Sequence, residues 1–185
     1  EDEVFSAQLK IGPIDLAVLN AGDYWPGLTH ACSQNDHRKI FEVNYFGTLN
    51  CIQAVLPEMR KNGGRLAVFG SLAGYIGLPN ASAYGPSKAA LISLCESLRA
   101  ELQDSLVTVQ LINPGFVKSA LTDKNDFTMP NLLSAEQAAI EIRLGLEGHS
   151  FEIAIPRTFV WRMKFLQMMP YRLYFYLARK MLKQI

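Results

Sequence analysis

Arg65-Leu66-Ala67-Val68-Phe69-Gly70 decides how this chain folds: four consecutive apolar residues set between a cation and a glycine. A short apolar run without alternation fits a strand covered on both faces. Before it, Ile14-Asp15-Leu16-Ala17-Val18-Leu19 stops at Asn20-Ala21-Gly22 and reads the same way. After it, Val107 to Ile112 makes a third strand broken by Asn113-Pro114-Gly115, and Phe151 to Ile155 a fourth stopped by Pro156. Helical patterns separate them. Ser33-Gln34-Asn35-Asp36 resembles a capping box and opens a helix that ends near Gly63-Gly64, with Pro57 as a late kink or break. A second helix runs from about Ala83 to Asp104, with Ala90, Leu91, Leu94, Leu98 and Leu102 on one stripe. Ser134-Ala135-Glu136-Gln137 caps a third, which reaches about Gly148. Strand and helix in strict alternation predict an α/β fold of parallel strands joined by right-handed crossovers.

The chain has 185 residues, 49% of them apolar and 19% charged, an ordinary globular composition. Cys32, Cys51 and Cys95 form no C-x-x-C pair, and their odd number argues against a disulfide framework, so a reducing, cytoplasmic setting is expected. The three histidines show no metal-ligand spacing, and no metal is expected. No stretch is apolar for long enough to span a bilayer, and the acidic start Glu1-Asp2-Glu3 is unlike the basic start of a signal peptide. Without an initiator methionine, the chain is expected to begin partway through a longer protein.

Charge divides the chain in two. From Arg157 onward there are seven basic residues and no acid, which leaves 11 basic against 17 acidic residues before it. Residues 1–156 read as the folded domain and 157–185 as a basic, aromatic helical tail, split by Pro170 into about Phe159–Met169 and Tyr171–Lys183. Two readings of the tail stand side by side: peripheral contact with an anionic membrane, or an extension packed on the body or over a cleft. No nucleic-acid partner is expected.

Tyr84-Gly85-Pro86-Ser87-Lys88 sets a phenol and an ammonium four residues apart on one helical face. A free tyrosine titrates near ~10, and a cation held beside it favours the phenolate, which makes the pair a usable proton donor and acceptor for an alcohol or carbonyl oxygen. Alone, such a pair is common on solvated helices. Ser71 lies just beyond the second strand, where an open parallel sheet places its ligands, and can hold the same oxygen. Asn44 is a polar residue in an apolar stretch, and either a site residue or a buried backbone-binding amide. Gly22, Gly115 and Pro114 could alternatively serve only turns and a strand stop. Serine hydrolysis does not fit, because neither Ser71 nor Ser87 sits in a G-x-S-x-G turn.

Asn20-Ala21-Gly22, Asn44, Ser71, Tyr84-x-x-x-Lys88 and Pro114-Gly115 stand in order along residues 14–155, and in this the chain resembles the short-chain dehydrogenase/reductase family. The resemblance implies a Rossmann-like doubly wound parallel sheet, here its C-terminal portion of about four strands, and hydride transfer between NAD or NADP and a carbonyl or alcohol substrate. It implies Tyr84 as acid and base, and Lys88 as the group that lowers its pKa and binds the nicotinamide ribose. Ser71 would orient the carbonyl, and Asn44 would hold a water in a proton relay. Asn20, Ala21 and Gly22 would line the adenosine side, while Pro114, Gly115, Val117 and Ser119 would border the nicotinamide. A homo-oligomer formed through Gln34–Lys61 and Ala83–Asp104 is also implied.

One departure matters. The family's glycine-rich TGxxxGxG turn is absent, and no G-x-G-x-x-G occurs. The strands that carry it, and the residues that choose NAD or NADP, are expected upstream of Glu1. This polypeptide alone is therefore expected to bind a nicotinamide cofactor weakly or not at all, with Ile14–Leu19 left as a bare strand edge. The contrary reading is a non-catalytic fragment or scaffold. The aromatic tail further suggests a lipophilic substrate.

Overall fold

The computed structural model describes residues 12–182 together with Ser6 and Lys10. Its apolar runs become four strands, β1 (Leu16–Leu19), β2 (Gly64–Phe69), β3 (Val107–Pro114) and β4 (Glu152–Ile155). They form one sheet in the order β1-β2-β3-β4, every neighbouring pair parallel. The registers Val18↔Ala67 and Ala67↔Gln110 bring the carboxyl ends of β1, β2 and β3 to one edge.

Both faces are covered, which explains the unalternating runs. Leu66, Val68, Val109 and Leu111 point to one side and pack on α2 (Gly47–Asn62) through Ile52, Val55 and Met59, and on α3 (Tyr84–Glu101) through Leu91, Cys95 and Leu98. Ala67, Ile112 and Ile153 point to the other and meet Ile142 and Leu146 of α4 (Ala135–Glu147). A fully buried Leu, Ile, Val or Met among them contributes roughly 1.5–3 kcal/mol. The sheet is doubly wound.

That arrangement corrects one expectation. All three connections step the same way across the sheet, but α2 and α3 cover one face while α4 covers the other. The β3-to-β4 connection therefore has the opposite hand to the first two, and the crossovers are not uniformly right-handed. The long irregular segment 115–133 between β3 and α4 lets the chain pass round the end of the sheet, which relaxes the steric rule that binds short crossovers.

Capping works as the sequence indicates. Ser33 and Asp36 form a reciprocal capping box at the start of α1 (Gln34–Phe41), and Ser134 and Gln137 do the same at α4. The predicted break at Pro57 does not occur: Pro57 lies inside α2. The irregularity falls instead at Glu42–Phe46, a single π turn between α1 and α2 that carries Asn44.

Beyond β4, α5 (Arg157–Met168) and α6 (Tyr171–Leu182) fold back on the body. Val160 and Met163 of α5 pack on Leu72, and the Tyr174 hydroxyl of α6 donates to the Gly77 carbonyl. The predicted division at Pro170 holds, and one face of the tail is packed. At the other end of the sheet, Leu16 and Val18 are exposed, and among the described residues no strand pairs with the outer edge of β1.

Candidate active site

Tyr84 is the first residue of α3, so its ring sits at the strand-end edge of the sheet while Lys88 lies one turn further into the helix. Lys88 is buried; its Nζ lies 5.7 Å from the centre of the Tyr84 ring and donates to the Phe69 carbonyl at 2.8 Å. Among the described residues this is its one hydrogen-bond partner. An ammonium offers three donors, so the site keeps unspent capacity. Burial pushes the Lys88 pKa down to about 8.

Ser71 caps the short turn Leu72–Gly74 that follows β2, and its Oγ accepts from the Ala73 N–H at 3.1 Å. Its own proton is the donor it offers toward the Tyr84 oxygen or a ligand. Tyr84 meets Tyr24 edge to face, ring centres 5.1 Å apart, and the Tyr24 hydroxyl donates to Asn125 Oδ1 at 2.9 Å. Burial raises the Tyr84 pKa, while the Ser71 hydroxyl pulls it down. Burial is the larger of these two causes, so the Tyr84 phenol and the Lys88 ammonium are both pushed toward their neutral forms.

Asn44 is wholly buried, behind this surface rather than on it. Its Oδ1 accepts from the Asp23 N–H at 2.7 Å, and its Nδ2 donates to the Asp23 carbonyl at 3.0 Å and to Ser87 Oγ at 2.9 Å. The amide ties the loop after β1 to the first turn of α3. One Oδ1 lone pair is left, on the side where Gly22 passes. A methyl group on Gly22 would stand 3.3 Å from that oxygen and 3.6 Å from Lys88 Nζ. Gly22 is small because the amide and the ammonium lie directly beneath it.

Two cavities meet at Tyr84 and Gly115. The larger, about 680 Å³, is lined by Asn20, Ala21 and Gly22 from the end of β1, by Lys88, and by Pro114, Val117 and Ser119 beyond β3. The smaller, about 130 Å³, has Ser71 and Tyr84 as a polar corner; Leu72, Leu78, Phe116, Phe127, Phe159 and Met163 supply its apolar walls. The structure therefore brings every residue singled out from the sequence to one edge of the sheet, with Asn44 as the support beneath.

Other contributors have no signal in the sequence. Tyr24, Phe159 and Met163 reach the smaller cavity from a loop and from the tail. A second cluster lies behind it: the Tyr75 hydroxyl and Asn113 Nδ2 (2.8 Å) both donate to Glu152 Oε1, and Lys164 Nζ donates to Oε2 at 2.5 Å. Burial raises the Glu152 carboxyl, yet Lys164, Tyr75 and Asn113 together hold it below its ordinary value. Burial and the adjacent carboxylate push the Tyr75 phenol up. This cluster pins α5, and with it Phe159 and Met163, to the loop that follows Ser71.

The larger cavity can be tested against a dinucleotide from its own groups. A buried ammonium with free donors suits ribose hydroxyl oxygens, and the bare Cα of Gly22 leaves room beside it for a flat ligand. The residues present fit the nicotinamide half of such a group.

Comparison with known proteins agrees with this geometry. Residues 2–129 match the description of the short chain dehydrogenases. An uncharacterized oxidoreductase of Myxococcus xanthus is 34% identical over 183 residues, 97% of this chain and 72% of that one. Human 17-beta-hydroxysteroid dehydrogenase type 1 is 40% identical over 114 residues, 61% of this chain but 35% of its own length. A short chain dehydrogenase from Burkholderia cenocepacia, solved in complex with NADP, superposes with a TM-score of 0.78 at 27% identity, covering 88% of this chain and 70% of that one. The family's fold, its strand-end residues and these matches converge, and the chain belongs to the short chain dehydrogenases.

Proposed function

We propose that this chain carries the reaction half of a nicotinamide-linked oxidoreductase acting on an apolar carbonyl or alcohol. The observation that carries the reading is the shared wall: Tyr84 faces both a large cavity edged with Lys88 and a small apolar one cornered by Ser71. A nicotinamide bound in the larger cavity supplies or accepts the hydride. Asn20, Ala21 and Gly22 would line the adenosine side of its dinucleotide, Lys88 would hold the nicotinamide ribose, and Pro114, Gly115, Val117 and Ser119 would border the nicotinamide ring. Ser71 would hold the substrate oxygen by donating its hydroxyl proton to it, and Tyr84 would pass its phenolic proton to that same oxygen. Burial raises the Tyr84 pKa, so the phenol carries its proton at neutral pH and has it to pass to a carbonyl oxygen. A water on the remaining Asn44 lone pair would link Lys88 outward. The walls formed by Leu72, Phe116 and Phe159 favour a lipophilic substrate, and one relative is named for a hydroxysteroid. The dinucleotide is NAD or NADP.

Nicotinamide absorbance, followed with apolar ketones, tests the reading on this chain and on a longer chimera that carries, ahead of Glu1, the N-terminal segment of the Myxococcus xanthus relative. Turnover by the longer chain, lowered roughly 10²–10⁴-fold by Tyr84→Phe with little change in cofactor KM, is expected. Turnover untouched by that substitution would overturn the assignment. Calorimetric titration of the 185-residue chain with NADH and NADPH should give weak binding or none; tight binding would show that these residues hold the cofactor by themselves.

A further inference from the structure

We propose that the outer face of the C-terminal helix pair docks on an anionic lipid bilayer. Each helix uses one face for packing, α5 through Val160 and Met163 and α6 through Tyr174 and Ala178. On the other side of α5 stand Trp161, Phe165 and Met168, spaced i, i+4, i+7 and therefore on one stripe. On α6, Tyr171 and Phe175 follow one turn apart with stacked rings 5.8 Å between centres. These five side chains are 62 to 83% exposed. Single exposed apolar residues are ordinary, whereas a run of five large ones along two consecutive helices marks a contact surface.

Charge names the occupant. Arg162, Arg172, Arg179 and Lys180 are exposed around the stripe, Lys180 lying 4.6 Å over the Tyr176 ring, and no acid occurs from Arg157 onward. Pairing this face with its own copy would press cations on cations. A negatively charged surface with an apolar interior satisfies both halves of the pattern. Among the described residues no helix is long and apolar enough to cross a membrane, so the pair lies on the surface. The inner face of α5 contributes Phe159 and Met163 to the small apolar cavity, so docking places that cavity one helix diameter from the acyl chains. The proposal stands whether or not the chain proves to be an oxidoreductase.

Vesicle flotation tests it, with the whole chain and vesicles of phosphatidylcholine alone or mixed with phosphatidylglycerol. Flotation with the mixed vesicles only, weakening as salt is raised, is expected. Two double variants at exposed positions separate the contributions, Trp161→Ser with Phe165→Ser and Arg172→Gln with Arg179→Gln. Each should weaken binding roughly tenfold or more while leaving the circular dichroism melt in place. Absence of flotation with anionic vesicles at low salt would overturn the proposal. So would a first double variant that floats like the parent, or one that only converts an oligomer to monomers in sedimentation, which would assign the face to a second copy.

Discussion

Replacing Gly74 by alanine tests how the two halves of the site are held together. Gly74 ends the turn that Ser71 caps, and it lies against the helix that carries Tyr84 and Lys88. A methyl group there would stand 2.7 Å from Ile92 Cδ1 and 2.9 Å from both the Ala89 nitrogen and the Lys88 carbonyl carbon. The Ile92 tip can swing aside, but the two backbone atoms belong to a hydrogen-bonded turn of α3 and cannot. The turn must therefore retreat by several tenths of an ångström and take Ser71 away from Tyr84. Overpacking of this kind costs about 1–3 kcal/mol. For a chain of this length that lowers Tm by about 2–4 °C per kcal/mol, or roughly 2–12 °C in all. Gly77, three residues on, has nothing within 4 Å of the same position, so Gly77→Ala serves as the control and should stay within about 0.5 kcal/mol of the parent. The assay is thermal unfolding by circular dichroism, with turnover measured alongside. Equal melting of the two variants, or a Gly74→Ala protein with the parent's Tm, would refute the close approach.

Asn44→Ala should lower stability by at least about 2 kcal/mol in urea unfolding, since it strands the Asp23 backbone pair and leaves Ser87 without its amide donor; an unchanged midpoint would mean the amide is not a tie. Lys88→Met should respond to pH. With the folded pKa near 8 and an unfolded value near 10.5, the native parent releases this proton first, so its stability rises with pH across that window and is flat in this respect below it. The variant lacks the rise, so any advantage it holds at pH 7 should shrink by up to about 3 kcal/mol as pH climbs through the window; a pH-independent difference would refute a depressed lysine.

Local chemistry was legible in the residues, and long-range assembly was not. The runs at 65–70 and 107–112 could be read as buried strands because both sheet faces are covered, so nothing in them had to alternate. Ser33 and Ser134 announced helix starts because a capping box is complete within four residues. Pro57 argued for a kink or a break because it lacks an N–H, yet the helix runs on through it to Asn62. The hand of the last crossover depends on which face segment 115–133 delivers α4 to, and no local pattern encodes that. The site divides the same way. Tyr84, Lys88, Ser71 and the strand ends sit in short motifs, while Glu152 finds Tyr75 across 77 positions and Tyr24 finds Asn125 across 101. Those partners are chosen by topology, and a carboxylate at the start of a strand carries no mark of the phenol it will meet.

The partition formed by Tyr84 and Gly115 has a stereochemical consequence. A planar carbonyl whose oxygen rests on that phenol can turn only one of its two faces toward the larger chamber. The handedness of an alcohol product would then follow from how its two substituents lie among Leu72, Phe116 and Phe159. Proton-handling residues would set how fast the centre forms, and the greasy walls opposite them would set which mirror image it becomes.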